Sequence, residues 1–292
     1  MFSLINKMNI NIFILCFNES ILLPRTINHY KKNLPNCIIT IYDNESTDNS
    51  VEIAKSLGCK IISWSSQNII DDYKYIDIKN NCWKNIENGW IIVLDMDEWL
   101  CVTENQLQDE LSNGTTILNI YGVEMIGEST NIELSDIDLE TITKYVDHPP
   151  ESKKLCFLRE KISDMNYSIG AHGSDPKGTV KYSSKLYINK HMSILGIPFI
   201  TNKMKKRHER AKLMQSKGFA SHYTDDYDKT KNYYNEMLNK SKNMSKLNEL
   251  EIEKYEYASV YNYKPVYNYK YLFISISIIV TIIIIFLLIK NN

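Results

Sequence analysis

Four short apolar runs, 10–17, 37–42, 60–64 and 90–94, alternate with stretches of helical period, and this alternation limits the fold more than any other feature of the chain. Each run is too short for a helix and fits a buried strand. Pro24 falls where the first turn of a helix over 20–33 tolerates a missing N–H. Gly58 and Gly89 fall where helices over 46–57 and 73–88 would stop. Strands joined by helices of this length need βαβ crossovers, hence a parallel sheet covered on both faces. Past residue 115 longer strand patterns follow at 116–126, 154–159 and 180–190, then helices near 200–217 and 226–255. The expected class is α/β, a Rossmann-like, mixed but mainly parallel sheet with helices on both faces.

In such sheets ligands collect beyond the carboxyl ends of the strands. Polar clusters follow three of the runs: Asn18-Glu19, then Asp43-Asn44-Glu45-Ser46-Thr47-Asp48, then Asp95-Met96-Asp97-Glu98. Asp95 and Asp97 stand close on one side of a turn, where two carboxylates repel unless a divalent cation sits between them. Such a cation can also bridge the phosphates of a nucleotide diphosphate. The bland alternative is an acidic turn that caps a helix.

Composition removes several other functions. A net charge of -1 gives no global pull toward nucleic acid. The six cysteines are scattered singly, without the pairing of a zinc site or a disulfide scaffold. The basic run 203–212 (KMKKRHERAK) lacks interleaved aromatics for base stacking, so a solvated helix face is its default. Contact with a diphosphate or with an anionic membrane surface is the alternative. An Asp-x-Asp motif also opens the haloacid-dehalogenase phosphatases, but there it follows the first strand, whereas here it follows the fourth.

The order FNES, YDNESTDNS and VLDMDEWL resembles the GT-A glycosyltransferases of family 2. The stretch DIKNNCWK, the DEW ending, Gly170-Ala171-His172, His191 and His222-Tyr223 resemble a bacterial branch of that family. The similarity runs over about 9–225. It implies a GT-A fold and a metal-dependent, inverting transfer of a hexosyl or N-acetylhexosaminyl group. The donor implied is a nucleotide-diphosphate sugar, with a UDP-sugar favoured, and the acceptor a hydroxyl on a glycan, lipid or protein. Asn18, Glu19, Asp43, Asn44 and Asp95 would hold the nucleotide sugar, with Asp43 accepting from the base. Ser46 and Asp48 would shape the following helix. Asp95, Asp97 and His172 would hold Mn²⁺ or Mg²⁺. The acidic pair that usually supplies the base is missing, which leaves Glu98, Glu124 and Asp175 as candidates, with Glu128 behind them. The competing reading is an inactive, membrane-tethered binding protein of the same fold.

The run 271–289 (YLFISISIIVTIIIIFLLI) carries no charge. It would span about 28 Å as a helix, the thickness of a bilayer's hydrocarbon core. Seven tyrosines between 255 and 271 suit an interfacial belt. The expected organisation is a catalytic domain over 1–225, a helical stalk over 226–270 and a transmembrane tail anchor over 271–289, with the main domain facing the cytosol.

Overall fold

The computed structural model describes residues 8–218, 220 and 223–244, all within one compact unit, Met1–Ile252. The first half alternates as expected: β1 (Ile10–Cys16), α1 (Leu23–Asn33), β2 (Ile38–Asp43), α2 (Ser50–Ser56), β3 (Lys60–Ser63), α3 (Asp72–Asn81) and β4 (Trp90–Asp95). There follow β5 (Glu98–Cys101), α4 (Glu104–Ser112), β6 (Ile117–Ile126), β7 (Lys144–Asp147), β8 (Cys156–Leu158), β9 (Ile162–Asp164), β10 (Lys177–Gly178) and β11 (Tyr182–Ile194). The chain then forms α5 (Ile197–Arg210), α6 (Lys212–Ser216), α7 (Tyr227–Lys240) and β12 (Lys242–Asn243).

One sheet runs in the order β12-β7-β6-β8-β4-β1-β2-β3. β4, β1, β2 and β3 pair in parallel, whereas β8 runs antiparallel to both β4 and β6. β11 lies parallel to β6 and antiparallel to β5. The sheet is therefore mixed, with its parallel part where the alternating pattern is cleanest. Period-two alternation sorts its residues between two cores. Ile10, Ile12 and Ile14 pack with Leu23, Ile27 and Tyr30 of α1, while Phe13, Ile91 and Val93 face Trp83, Phe157 and Met165.

Local sequence sets the boundaries. Asp71 starts α3 by accepting from the N–H groups of Tyr73 and Lys74, and Thr103 with Gln106 forms a capping box on α4. α2 begins at Ser50 because Asp48 accepts from both Ser50 N–H and Ser50 Oγ, so the segment 46–49 stays outside the expected helix. α3 stops at Asn81, shorter than the expected 73–88. Gly196 enters α5 with φ +143, and a Cβ there would collide with the Ser129 carbonyl, so glycine is needed for β11 to turn directly into α5.

The packed body continues past residue 225, the expected edge of the domain. Part of the expected stalk is α7, whose Tyr234 is buried against Ile126, Ile194 and Ile200 and donates from Oη to the Gly127 carbonyl at 2.9 Å. Among the described residues no helix is long and apolar enough to cross a membrane, and 271–289 lies outside them.

Candidate active site

The parallel strands deliver their polar ends to one edge. Asn18, just past β1, adopts a left-handed conformation with φ 54, one that asparagine tolerates better than most residues. Its Oδ1 accepts from the N–H groups of Thr47 (2.7 Å) and Asp48 (3.2 Å), and its own N–H donates to Ser46 Oγ at 2.9 Å. Asn18 and Ser46 therefore tie the end of β1 to the turn after β2. Asp48 also accepts from Ser20 N–H. Asn44 is similarly engaged, since it exchanges hydrogen bonds with Ser66 at 2.8 Å in both directions.

Asp43 differs. It is buried at the carboxyl end of β2, and its Oδ2 accepts from Ser46 N–H at 3.1 Å. Its Oδ1 is buried with no hydrogen-bond partner. A buried acceptor left empty costs free energy on the order of 1–3 kcal/mol, which a donor reaching this oxygen would recover. Next to it, Arg210 stacks over the Phe17 ring at 3.4 Å, and Trp64 meets Tyr75 edge-on at 5.2 Å.

At the end of β4, Asp95 pairs through Oδ2 with Lys79 of α3 at 2.8 Å and with Lys153 at 3.7 Å. Its side chain keeps 36% of its surface open. Burial opposes ionisation, but Lys79 and Lys153 outweigh it and hold the carboxyl below its usual range. Asp97 is only 3% exposed at the side chain and is crowded with cations. Its Oδ2 takes Lys203, Arg207 at 3.4 Å and His191 Nε2 at 3.4 Å. Against the cost of burial, Lys203 and His191 hold it ionised well below the carboxylate norm.

Behind this pair lies a buried ionic network. Lys153 Nζ reaches Glu98 Oε1 at 2.6 Å and Glu151 Oε2 at 2.8 Å. Glu98, fully buried, also accepts from Asp95 N–H at 2.7 Å, and burial raises its pKa to about 8. His191 Nδ1 meets Glu124 at 2.6 Å, and Glu124 also accepts from Ser193 N–H and Oγ. Burial works against a charged His191, but Glu124, Glu151 and Asp97 together keep it protonated well above the usual histidine range.

The expected residues therefore separate. Asp43, Asp95, Asp97 and Glu19 stand at the strand ends. Glu19 is pushed up to about 7, chiefly by burial, against the charge of Lys203. His172 does not reach the aspartates: its Nδ1 contacts the Pro150 carbonyl at 2.8 Å, and the imidazole beside Asp97 is His191. Asp175 sits in the exposed β9–β10 region, paired with Lys177 at 2.7 Å. Glu98 is sealed behind Asp95, and both oxygens of Glu124 are taken up by His191 and Ser193. None of the three expected bases is free. Glu128 pairs with Lys144 at the surface, and His222 lies outside the described residues. Lys153 and Glu151 gave no sequence signal, because their partners are fixed only by the fold, whereas Lys79 stood inside the DIKNNCWK stretch without an assigned role. Lys203 and Arg207 lay inside a basic run whose spacing of four places both on one helix face.

The expected divalent cation fits this site only in part. A cation chelated by both aspartates would have to displace Lys203 and Arg207 from Asp97, which leaves the open side of Asp95. Glu124, His148 and His191 bring ligand atoms within 4.8 Å of one another and form a second group able to hold a metal ion, in which the Nδ1 contact to Glu124 orients the His191 ring.

The mixed α/β sheet thus carries an unfilled acceptor behind β2 and an acidic pair behind β4. Residues 11–108 match the model for glycosyl transferase family 2. An uncharacterised glycosyltransferase of Rickettsia prowazekii is 36% identical over 104 residues, 35% of this chain and 31% of the relative. Protein RfbJ of Shigella flexneri is 34% identical over 58 residues, covering 20% of this chain and 45% of RfbJ. The chain thus matches about a third of the length of its rickettsial relatives. Among solved structures, TarS of S. aureus overlays with TM-score 0.37 at 11% identity, covering 80% of this chain and 43% of TarS. Glucosyl-3-phosphoglycerate synthase of Mycobacterium tuberculosis, solved with Mn²⁺ and UDP, overlays at 0.26 and 13% identity, covering 40% of this chain and 44% of its own.

Proposed function

We propose that the protein transfers a sugar from a nucleotide-diphosphate donor, a UDP-sugar in the favoured case, to a hydroxyl acceptor. The observation that carries this reading is the unfilled, buried Oδ1 of Asp43 at the same sheet edge as Asp95 and Asp97. An imide N–H of uracil is the kind of donor that completes it. The nucleotide then runs along the edge toward β4, where cations meet the diphosphate. In an inverting transfer the acceptor oxygen bonds to the anomeric carbon while the bond to the diphosphate breaks. Its electrons leave on the phosphate oxygen, and the acceptor proton passes to a base. Mg²⁺ or Mn²⁺ would be held by Asp95 and the substrate phosphates, as these ions commonly are, and would supply charge neutralisation there. The uncharged run 271–289 supports a membrane-held enzyme.

Calorimetric titration of the chain with UDP, GDP and CDP, with and without Mn²⁺, tests the reading. Binding of UDP that Asp43→Ala abolishes is expected, and binding of none of the three would overturn it. A second reading, donor binding without transfer, is favoured by the engagement of Glu98 and Glu124 and the outlying position of Asp175. Release of sugar from a bound UDP-sugar separates the two.

A further inference from the structure

We propose that Lys203 and Arg207 of α5 are the residues that receive the donor's diphosphate, and that Asp97 serves to hold these two cations in place rather than to chelate a metal. The proposal rests on the nucleotide-sugar reading above and assigns the groups that meet its leaving phosphate.

Crowding at Asp97 is the first observation. One carboxylate oxygen, almost fully buried, faces a lysine and a guanidinium beside an imidazole that has Glu124 as its own partner. A single carboxylate charge does not balance both a lysine and a guanidinium, and each buried cation carries a desolvation cost that only close anions offset. The arrangement is suited to a further anion. Arg207 has the means to bind one. Its side chain remains 32% exposed, and it uses one N–H group on Tyr223 Oη at 3.2 Å and one on Asp97 at 3.4 Å, with the guanidinium over the Tyr223 ring at 5.5 Å. A guanidinium offers five N–H donors in a fork that matches phosphate oxygens. Its charge is also felt at Glu19 behind β1, Asp72 at the start of α3 and Asp95 behind β4, which places Arg207 centrally among the strand ends.

The second observation is the course of α5. Lys203, Arg207 and Arg210 recur at spacings of four and three and so share one face. Arg210 lies at the nucleoside end, over Phe17, and its backbone carbonyl accepts from Ile70 N–H. Lys203 lies at the Asp97 end. Seven residues of helix rise about 10 Å, close to the distance from a nucleoside to its terminal phosphate. When the donor's glycosidic bond breaks, the electron pair moves onto the diphosphate oxygen, and the two fixed cations stabilise that charge without reorganising.

Full-length protein in detergent micelles, titrated with UDP and with uridine, tests this. Lys203→Met and Arg207→Gln are each expected to weaken UDP binding tenfold or more, in EDTA as well as in Mn²⁺, while uridine affinity stays within twofold. Arg207→Lys, which keeps the charge and loses the fork, should recover part of the loss, and melting curves report whether each variant is folded. UDP affinity unchanged in all three variants, or UDP and uridine affinity falling together, would overturn the assignment and leave the glycosyltransferase reading standing. A wild type that binds neither UDP, GDP nor CDP removes both.

Discussion

At the scale of single residues, the site depends on which polar atoms the fold leaves open. Asp43→Asn keeps an oxygen for Ser46 N–H but presents an amide donor where an acceptor is needed. Loss of one such buried hydrogen bond is worth about 1–3 kcal/mol, so UDP affinity should fall roughly tenfold or more at an unchanged melting temperature. An Asp43→Asn protein that binds UDP normally would show that Oδ1 does not meet the base. Lys153 represents the opposite case, a fully engaged ion whose value is structural. Lys153→Met leaves Glu98 and Glu151 buried without their cation, at a cost of roughly 3–5 kcal/mol, which denaturant unfolding will read directly. A loss below about 1 kcal/mol would mean that water reaches those carboxylates. The place of Asp43 and Asp95 at strand ends, with Asp97 two residues on, was legible in the sequence because the first two stand immediately behind apolar runs. Lys153, 55 residues from its partner Glu98, was not, since pairing over such a distance is set only once β8 pairs antiparallel to β4 and β6. His172 and His191 show the same limit. The resemblance pointed to His172 as the metal contact, whereas the register of β11 against β5 and β6, which sets His191 opposite Glu98 and Glu124, makes His191 the one that reaches Asp97.

At the scale of elements, α7 packs with α5 and extends the domain beyond the region that resembles the family. Their shared core holds Tyr234, Ile200, Ile126 and Ile194, with Met204, Met237 and Leu238 around it. A fragment ending at residue 225 would expose that apolar face, and it should melt roughly 10 °C or more below a fragment ending at 252. Tyr234→Ala in the longer fragment should reproduce roughly 3 kcal/mol of the loss, and Tyr234→Phe about 1 kcal/mol, the hydrogen bond to Gly127 alone. Equal melting temperatures for the two fragments would return α7 to the role of a stalk. The alternating first half was readable because each strand and helix is long enough to show its period. The stretch from β7 to β10 was readable only at β8, which lies inside the strand expected over 154–159. β7, β9 and β10 are two to four residues long, too short for any alternation to register, and they form by pairing with other strands.

For the whole molecule, the division of labour is between a folded body and an apolar run. The residues placed in the site lie between Phe17 and Tyr223, held by the sheet and by α3 and α5. Nineteen uncharged residues with the approach rich in tyrosine are, on hydropathy alone, a strong membrane signal. If the run anchors the protein, full-length chain expressed in cells should stay in the pellet after carbonate extraction, and removal of 271–292 should release it into the supernatant. The two functions should then separate cleanly: the released protein keeps its affinity for UDP, while transfer to a lipid-borne acceptor falls because the acceptor is no longer concentrated in the same plane. Release of the full-length chain by carbonate would sink the anchor. Loss of UDP binding on truncation would instead mean that residues beyond 270 contribute to the site.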